Sequence, residues 1–231
     1  MTTQEQEQEP GRGWGTGAAR LLGALEDARP SVRLRAAMAV GAEPDPRYVG
    51  PLVARCAVEP EFFVRDTLTW ALTRHPVSLT LPALLAELRS GRAQARGQAL
   101  HTLSKIGDRR AWPALTRALL TDADDEVARS AWRAAAVLVP EGEEPALAAV
   151  LASQLGRGGR ETRLSLSRAL IALGEVIVPA LRAARMDGDD DVRAHAMATE
   201  RLLRDPEAGF AFAVEEAKRV VALGRAAGQE G

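Results

Sequence analysis

Pro82-Ala83-Leu84, Pro113-Ala114-Leu115, Pro145-Ala146-Leu147 and Pro179-Ala180-Leu181 are one tripeptide met four times, and Pro51-Leu52-Val53 is a weaker relative ahead of them. The prolines stand 31, 31, 32 and 34 residues apart (82−51, 113−82, 145−113, 179−145). A beat held over most of a chain marks a repeat architecture, in which each unit buries its apolar face only against its neighbours. Proline suits the first turn of a helix, where its missing N–H removes no bond. Each copy is therefore expected to open a helix.

A second marker recurs midway through each unit: Val32-Arg33, Val64-Arg65, Ala95-Arg96, Thr162-Arg163 and Val192-Arg193, with Val127-Ala128-Arg129 slipping the arginine by one place. Each begins a second helix. Counting from the first residue of the marker, places +4, +7, +8 and +11 are mostly apolar or small, as in Leu68, Ala71 and Leu72 or Leu166, Ala169, Leu170 and Leu173, which is one face of a helix. Asp122, Asp124, Asp125 and Glu126, and again Asp187, Asp189, Asp190 and Asp191, precede second helices, where carboxylates cap free N–H groups and favour the positive helix end. Gly41, Gly107 and Gly174 are read as closing second helices. The repeated arginine lies at the flank between neighbouring second helices, placed to bond acidic turn groups of an adjacent unit as a structural ladder.

The units read as helix pairs over roughly 17–42, 46–75, 78–107, 110–139, 143–174 and 177–204. The segment Glu207 to Gly224 breaks the repeat, and its Phe210, Phe212, Val214, Val220, Val221 and Leu223 suit a terminal cap over the last apolar face. The expected organisation is an all-α, α-α superhelix of about six helix pairs with a C-terminal capping helix over 17–224, between disordered tails at 1–16 and 225–231. With its proline in the first helix and an acidic turn leading into Val-Arg-x-x-Ala, the unit resembles the HEAT repeat, especially the short form also found in phycobilisome lyases. The resemblance covers about 17–204. It implies a HEAT-like solenoid and, because known HEAT proteins are mainly scaffolds, a role in holding other macromolecules. A minority of such proteins bind tetrapyrroles, and a related helical-repeat group comprises alkylpurine DNA glycosylases.

Composition agrees with close-packed helices: 46% of the 231 residues are hydrophobic but only 4% aromatic, so the apolar mass comes from Ala, Leu and Val. Thirty basic residues against 31 acidic ones leave a formal charge of −1, without the global positive field of a dedicated nucleic-acid binder. The single cysteine, Cys56, excludes an internal disulfide and is read as inert packing. The first residues carry Gln, Glu and Thr rather than a basic and then apolar run, and no stretch approaches the roughly 18 apolar residues of a membrane helix. A cytoplasmic protein without a membrane association is expected.

In HEAT-like stacks the second helices line the concave side. At about 100° per residue, places +2, +6 and +9 fall opposite the apolar face. The +6 column reads Met38, Trp70, His101, Arg133, Arg168 and Ala198; +2 adds Asp66 and Arg129, and +9 adds Thr73, Ser104 and Arg201. With packed helices about 8 to 10 Å apart, Trp70 to Arg168 spans roughly 30 Å. Asp66, Trp70, Thr73, His101, Ser104, Arg129, Arg133 and Arg168 are the candidate binding residues, because Trp and Arg combine large contact area with polar reach. A phase error of one residue would instead make Trp70 and Trp132 packing. Trp112, beside Pro113, is read as structural.

No chemistry-bearing motif accompanies these columns. His75, His101 and His195 fall in different registers without metal spacing. The run Asp187-Gly188-Asp189-Asp190-Asp191 lacks a calcium loop's central glycine and terminal glutamate. No phosphate-cradling glycine loop or nucleophile elbow is present, and Gly156-Arg157-Gly158-Gly159-Arg160 reads as a flexible turn. No cofactor, metal or catalytic residue is assigned. The leading expectation is a noncatalytic protein-binding scaffold or adaptor using the concave face for a protein or peptide partner. The alternatives are an enzyme or tetrapyrrole-type small-ligand binder in the same groove, with Asp66 and His101 as acid–base candidates, and a nucleic-acid binder or glycosylase, which the near-neutral charge disfavours.

Overall fold

A computed structural model describes residues 16–207 and 209–229 of the chain. Among these residues the regular elements are all helical. They pair as α1 (Thr16–Leu25) with α2 (Pro30–Ala42), α3 (Val49–Cys56) with α4 (Phe62–Arg74), and α5 (Val77–Glu87) with α6 (Ala93–Ile106). The fourth pair joins a broken first element, a 3-10 segment Arg109–Ala114 followed by the one-turn α7 (Arg117–Leu120), to α8 (Asp125–Leu138). Then come α9 (Glu144–Ala152) with α10 (Arg160–Ile171), α11 (Val178–Asp187) with α12 (Asp190–Arg204), and a last helix, α13 (Phe210–Gln229). Second helices contact second helices along the chain and first helices contact first helices, so the molecule is a two-layered HEAT-like α-α solenoid. Of the tails expected at 1–16 and 225–231, residues 1–15, 230 and 231 lie outside the described residues, Thr16 opens α1, and α13 runs past Gly224, where the sequence reading ends it, to Gln229.

The predicted apolar face is the core. Leu68, Ala71, Leu72, Leu166, Ala169 and Leu170 are all buried in one continuous cluster that runs from Leu25 to Ala196. Two capping expectations hold through the acidic turns: Asp124 accepts from the Glu126 and Val127 N–H groups, and Asp189 from that of Val192. Gly107 ends α6 at φ +71°, returning its N–H to Leu103, the left-handed closure that glycine takes at least cost.

Three local readings are corrected. Pro82 does not open α5: that helix starts at Val77, after Pro76, so Pro82 sits inside it. Pro113 lies in a 3-10 segment, and the chain restarts at Thr116, whose hydroxyl caps Leu119 N–H. Gly41 does not close α2 but lies within it, where a β-carbon would collide with the six-membered ring of Trp70 and come 3.0 Å from Ala71 Cα. It is a close-approach glycine.

Contacts between successive second helices are uneven, and one register explains it. At the α4–α6 and α10–α12 joints place +5 of one helix lies against +3 and +7 of the next. Where +7 is Ala71 or Ala134, α2 meets α4 and α6 meets α8 closely. Where it is threonine, a polar triad fills the seam and the contact is looser: Gln98 Nε2 donates to Thr69 Oγ1 at 2.9 Å with Thr102 beside it, and Ser167 Oγ bridges His195 Nε2 at 3.0 Å and Thr199 Oγ1 at 2.8 Å. Hydrogen-bonded polar groups are retained there because burying them unpaired is costly.

The arginine ladder holds the turns. Arg33 donates to its own turn carbonyls, Asp27 and Ala28, and forms a buried two-pronged pair with Glu59 of the following unit at 2.6 and 2.7 Å. Arg96 does the same with Ser90 O and Asp122, and Arg163 with Gly158 O and Asp191. Arg65 keeps only the carbonyls, Glu59 and Pro60; that joint is closed from the other side by Gln94, which donates to Cys56 O and Glu59 O. In the fourth unit, where the arginine slipped, Arg157 of the fifth reaches back to Asp125 and the Asp122 carbonyl and lies over the Trp132 ring.

Candidate functional site

The face of the second-helix layer that looks away from the first helices carries the +2, +6 and +9 columns. Met38, Trp70, Arg133 and Arg168 at +6 are exposed and His101 is half-buried, while Trp132 at +5 is fully buried with its Nε1–H donated to Leu120 O at 2.7 Å. The helical phase is therefore the one read from the sequence, with the two tryptophans differing by one place in the register, a rotation of about 100°. Trp70 keeps 42% of its surface exposed; part of its ring lies over Gly41. Trp112 is structural as expected, its Nε1–H donated to Glu143 at 2.8 Å.

Between α4, α6 and α8 the loose joint opens a groove of about 460 Å³. It brings together four of the eight candidates, Asp66, His101, Arg129 and Arg133. Gly97 stands at +2 of α6 and removes a side chain from the middle of the wall. The other four candidates lie outside the groove. Thr73 and Ser104 donate their hydroxyls to the Trp70 and His101 carbonyls at 2.7 Å, a turn back on their own helices. Trp70 and Arg168 sit on the same open face beyond its two sides.

Arg133 Nη1 is 3.0 Å from His101 Nδ1. A guanidinium only donates, so Nδ1 accepts and the ring proton is on Nε2. Burial, and next the Arg133 charge, push His101 below its ordinary range, while Asp66 opposes the shift. Arg133 is itself pushed down, first by burial and then by Arg129, with Arg168 adding to it. Arg129 has a carboxylate, Glu126, at 2.8 Å, yet its Nε–H is enclosed without an acceptor. Among the described residues neither Arg133 nor Arg168 forms an ion pair with a carboxylate, in contrast to Arg33, Arg55, Arg96 and Arg163. The arrangement offers guanidinium donors and one neutral imidazole; Asp66 and His101 do not share a hydrogen bond.

Sequence reasoning missed the aromatic rim. Phe62 and Phe63 begin α4, are 64% and 75% exposed, and stack edge to face at 5.6 Å. Phe62 lines the groove. The signal was present as two adjacent phenylalanines just ahead of the marker Val64, a place the column arithmetic did not reach. Gln98, also on the wall, is held by the Thr69 seam.

The same columns end differently at α12. Ala194 at +2 and Ala198 at +6 are buried against Phe210, Ala213 and Ala217 of α13, and Arg201 at +9 pairs with Glu216. The last helix thus lies over the open-face columns of the final unit, where the sequence reading placed it on the end of the stack. Cys56 is buried and its thiol is pushed up to about 12, chiefly by burial, so it is inert at neutral pH. No cluster of metal-ligating side chains and no single helix long and apolar enough to cross a membrane occurs among the described residues.

Among solved structures, the complex of CpcE and CpcF of phycocyanin lyase from Nostoc sp. PCC7120 is similar to this chain over 86% of its length and 80% of that chain's, at 17% sequence identity and a TM-score of 0.46. No protein-family model and no curated protein matches the sequence.

Proposed function

We propose that the protein is a noncatalytic scaffold that holds a protein or peptide partner on the open, concave face of its second helices. The observation that supports this is the set of exposed recognition groups there. Trp70, Phe62 and Phe63 stand exposed, and Arg133 and Arg168 have no carboxylate, in a chain whose other second-helix arginines mostly do. Exposed aromatics next to arginines without a carboxylate are the composition of interface hot spots. A solenoid whose units are already stapled by Arg33, Arg96, Arg157 and Arg163 does not need these side chains for its own stability.

An acid–base reading of the groove has less support, because His101 Nδ1 is occupied by Arg133 and Asp66 makes no hydrogen bond to the ring. The test is affinity purification from the native cells, comparing the wild type with a Trp70→Ala/Arg133→Ala variant whose helicity and melting are unchanged. A protein recovered by the wild type and lost by the variant supports the scaffold. Equal recovery by both removes the open face from the function.

A further inference from the structure

The scaffold reading leaves open what kind of element the face receives, and α13 supplies a seated example. On α12 the columns +2 and +6 are alanines, and α13 lays Ala213 and Ala217, one turn apart, against them, with Phe210 a turn earlier and Glu216 reaching Arg201 at +9. Small residues allow close helix approach, and the acid meets the arginine at the edge. This is a helix received by the second-helix face through one carboxylate and a small-residue contact.

The face next to it is open and bears the matching half of the same chemistry. Arg168 on α10 and Arg133 on α8 are exposed and without a carboxylate among the described residues, and Arg129 keeps an enclosed Nε–H without an acceptor. Of the acids lining the groove, Asp124 and Glu126 are spent on the α8 N–H groups and on Arg129, while Asp66 stands across it on α4. On the other side of the groove the large exposed groups are apolar, Trp70, Phe62 and Met38, with one exposed acid, Asp66, on the α4 wall. The face therefore carries its carboxylate-free arginines on α8 and α10, where Leu164 and Ile171 of α10 already pack towards α13, and its large exposed apolar side chains on α2 and α4, beside Asp66.

Resting on the scaffold reading, we infer that the partner presents an amphipathic acidic helix, its carboxylates meeting Arg133 and Arg168 and an apolar side chain meeting Trp70 and Phe62. Charge complementarity of this kind sets orientation as well as affinity, and helix-in-groove docking is read by anchors a turn or two apart.

The test uses the full chain and three fluorescein-labelled alanine-based peptides of equal length ending in one tryptophan: one with glutamate at i, i+4 spacing, one with lysine at those places, and the glutamate peptide with a central proline. Anisotropy titrations should give binding of the glutamate helix, with the lysine helix and the proline-broken peptide each weaker by about tenfold or more. Arg133→Glu/Arg168→Glu should reverse the preference toward the lysine helix, while Arg133→Lys/Arg168→Lys should retain the preference for glutamate. Equal binding of the glutamate and lysine helices, or of the helical and proline-broken peptides, would overturn the inference. Because the capture experiment reads the native partner and not these probes, a partner lost on Trp70→Ala/Arg133→Ala alongside indifferent probes would overturn the helix and leave the scaffold standing.

Discussion

The second helices of the middle units and the last second helix, α12, share one register and put it to opposite uses. At +2 and +6 the middle offers Asp66, Trp70, His101, Arg129 and Arg133 to solvent or to the groove; α12 offers Ala194 and Ala198 and is covered by α13. The lesson is that this face is not intrinsically a binding surface or a core. Side-chain size at two places per unit decides whether a helix lies on it, and the protein has settled the matter at α12, with Leu164 and Ile171 of α10 at the edge of the same contact.

The comparison breaks most sharply at Ala198. Installing the residue of the neighbouring unit, Ala198→Arg, drives a charge beneath α13 and should cost about 3 kcal/mol or more. Urea denaturation and faster amide exchange in α13 are the readouts, and an unchanged chain would mean that α13 is not seated there. Acid comes next. Burial holds His195 down to about 4 in the fold against about 6.5 unfolded. Between these values the unfolded chain binds the extra proton, so stability present above pH 6.5 falls as pH is lowered towards 4, by about 2 to 3 kcal/mol at pH 4.5. His195→Gln borrows Gln98, the residue at the same +3 place of α6, and should flatten that slope in paired unfolding curves at pH 7 and 4.5.

A smaller contrast separates two glycines on the same layer. Gly41→Ala must displace Trp70 or α4 and should cost about 1 to 3 kcal/mol, shifting tryptophan emission to the red. Gly97→Ala meets nothing nearer than 3.9 Å and should stabilise α6 by about 0.5 to 1 kcal/mol. Smallest of all, Arg133→Ala and Arg168→Ala should each leave thermal stability within about 0.5 kcal/mol, as befits side chains that the fold does not use.

The repeat, the helix phase and the arginine ladder were legible in the sequence because they recur: six imperfect copies of a unit average out local noise, and Leu68, Ala71 and Leu72 could be told from Trp70 by spacing alone. Features that occur once were not. Gly41 looks like a helix terminator until the ring it accommodates is seen, and the break at Trp112-Pro113 depends on Thr116 capping a fresh turn. The seat of α13 was hidden because Ala194 and Ala198 read as blanks in a column of recognition residues, although small side chains at that spacing are what a closely packed helix requires. Of the eight candidate residues, the groove gathered Asp66, Arg129, His101 and Arg133, from the +2 and +6 columns; at +9, Thr73 and Ser104 have hydroxyls that return to their own backbone.

The staples between units alternate in direction along the chain. Arg33, Arg96 and Arg163 reach forward from the first, third and fifth units, whereas Gln94 and Arg157 reach backward from the third and fifth. In these staples from the second helices and the turns before them a unit is thus a tile with both tongues or both slots, and only a pair of units has one of each kind, whereas the first helices add contacts of their own, Arg55 to Glu26 and Trp112 to Glu143. Lengthening or shortening the stack by pairs keeps these second-helix staples matched at every joint, while moving a single unit sets donor against donor in them. For anyone building a longer or shorter version of this protein, the module is the pair of about 63 residues, the sum of two proline intervals (31 + 32).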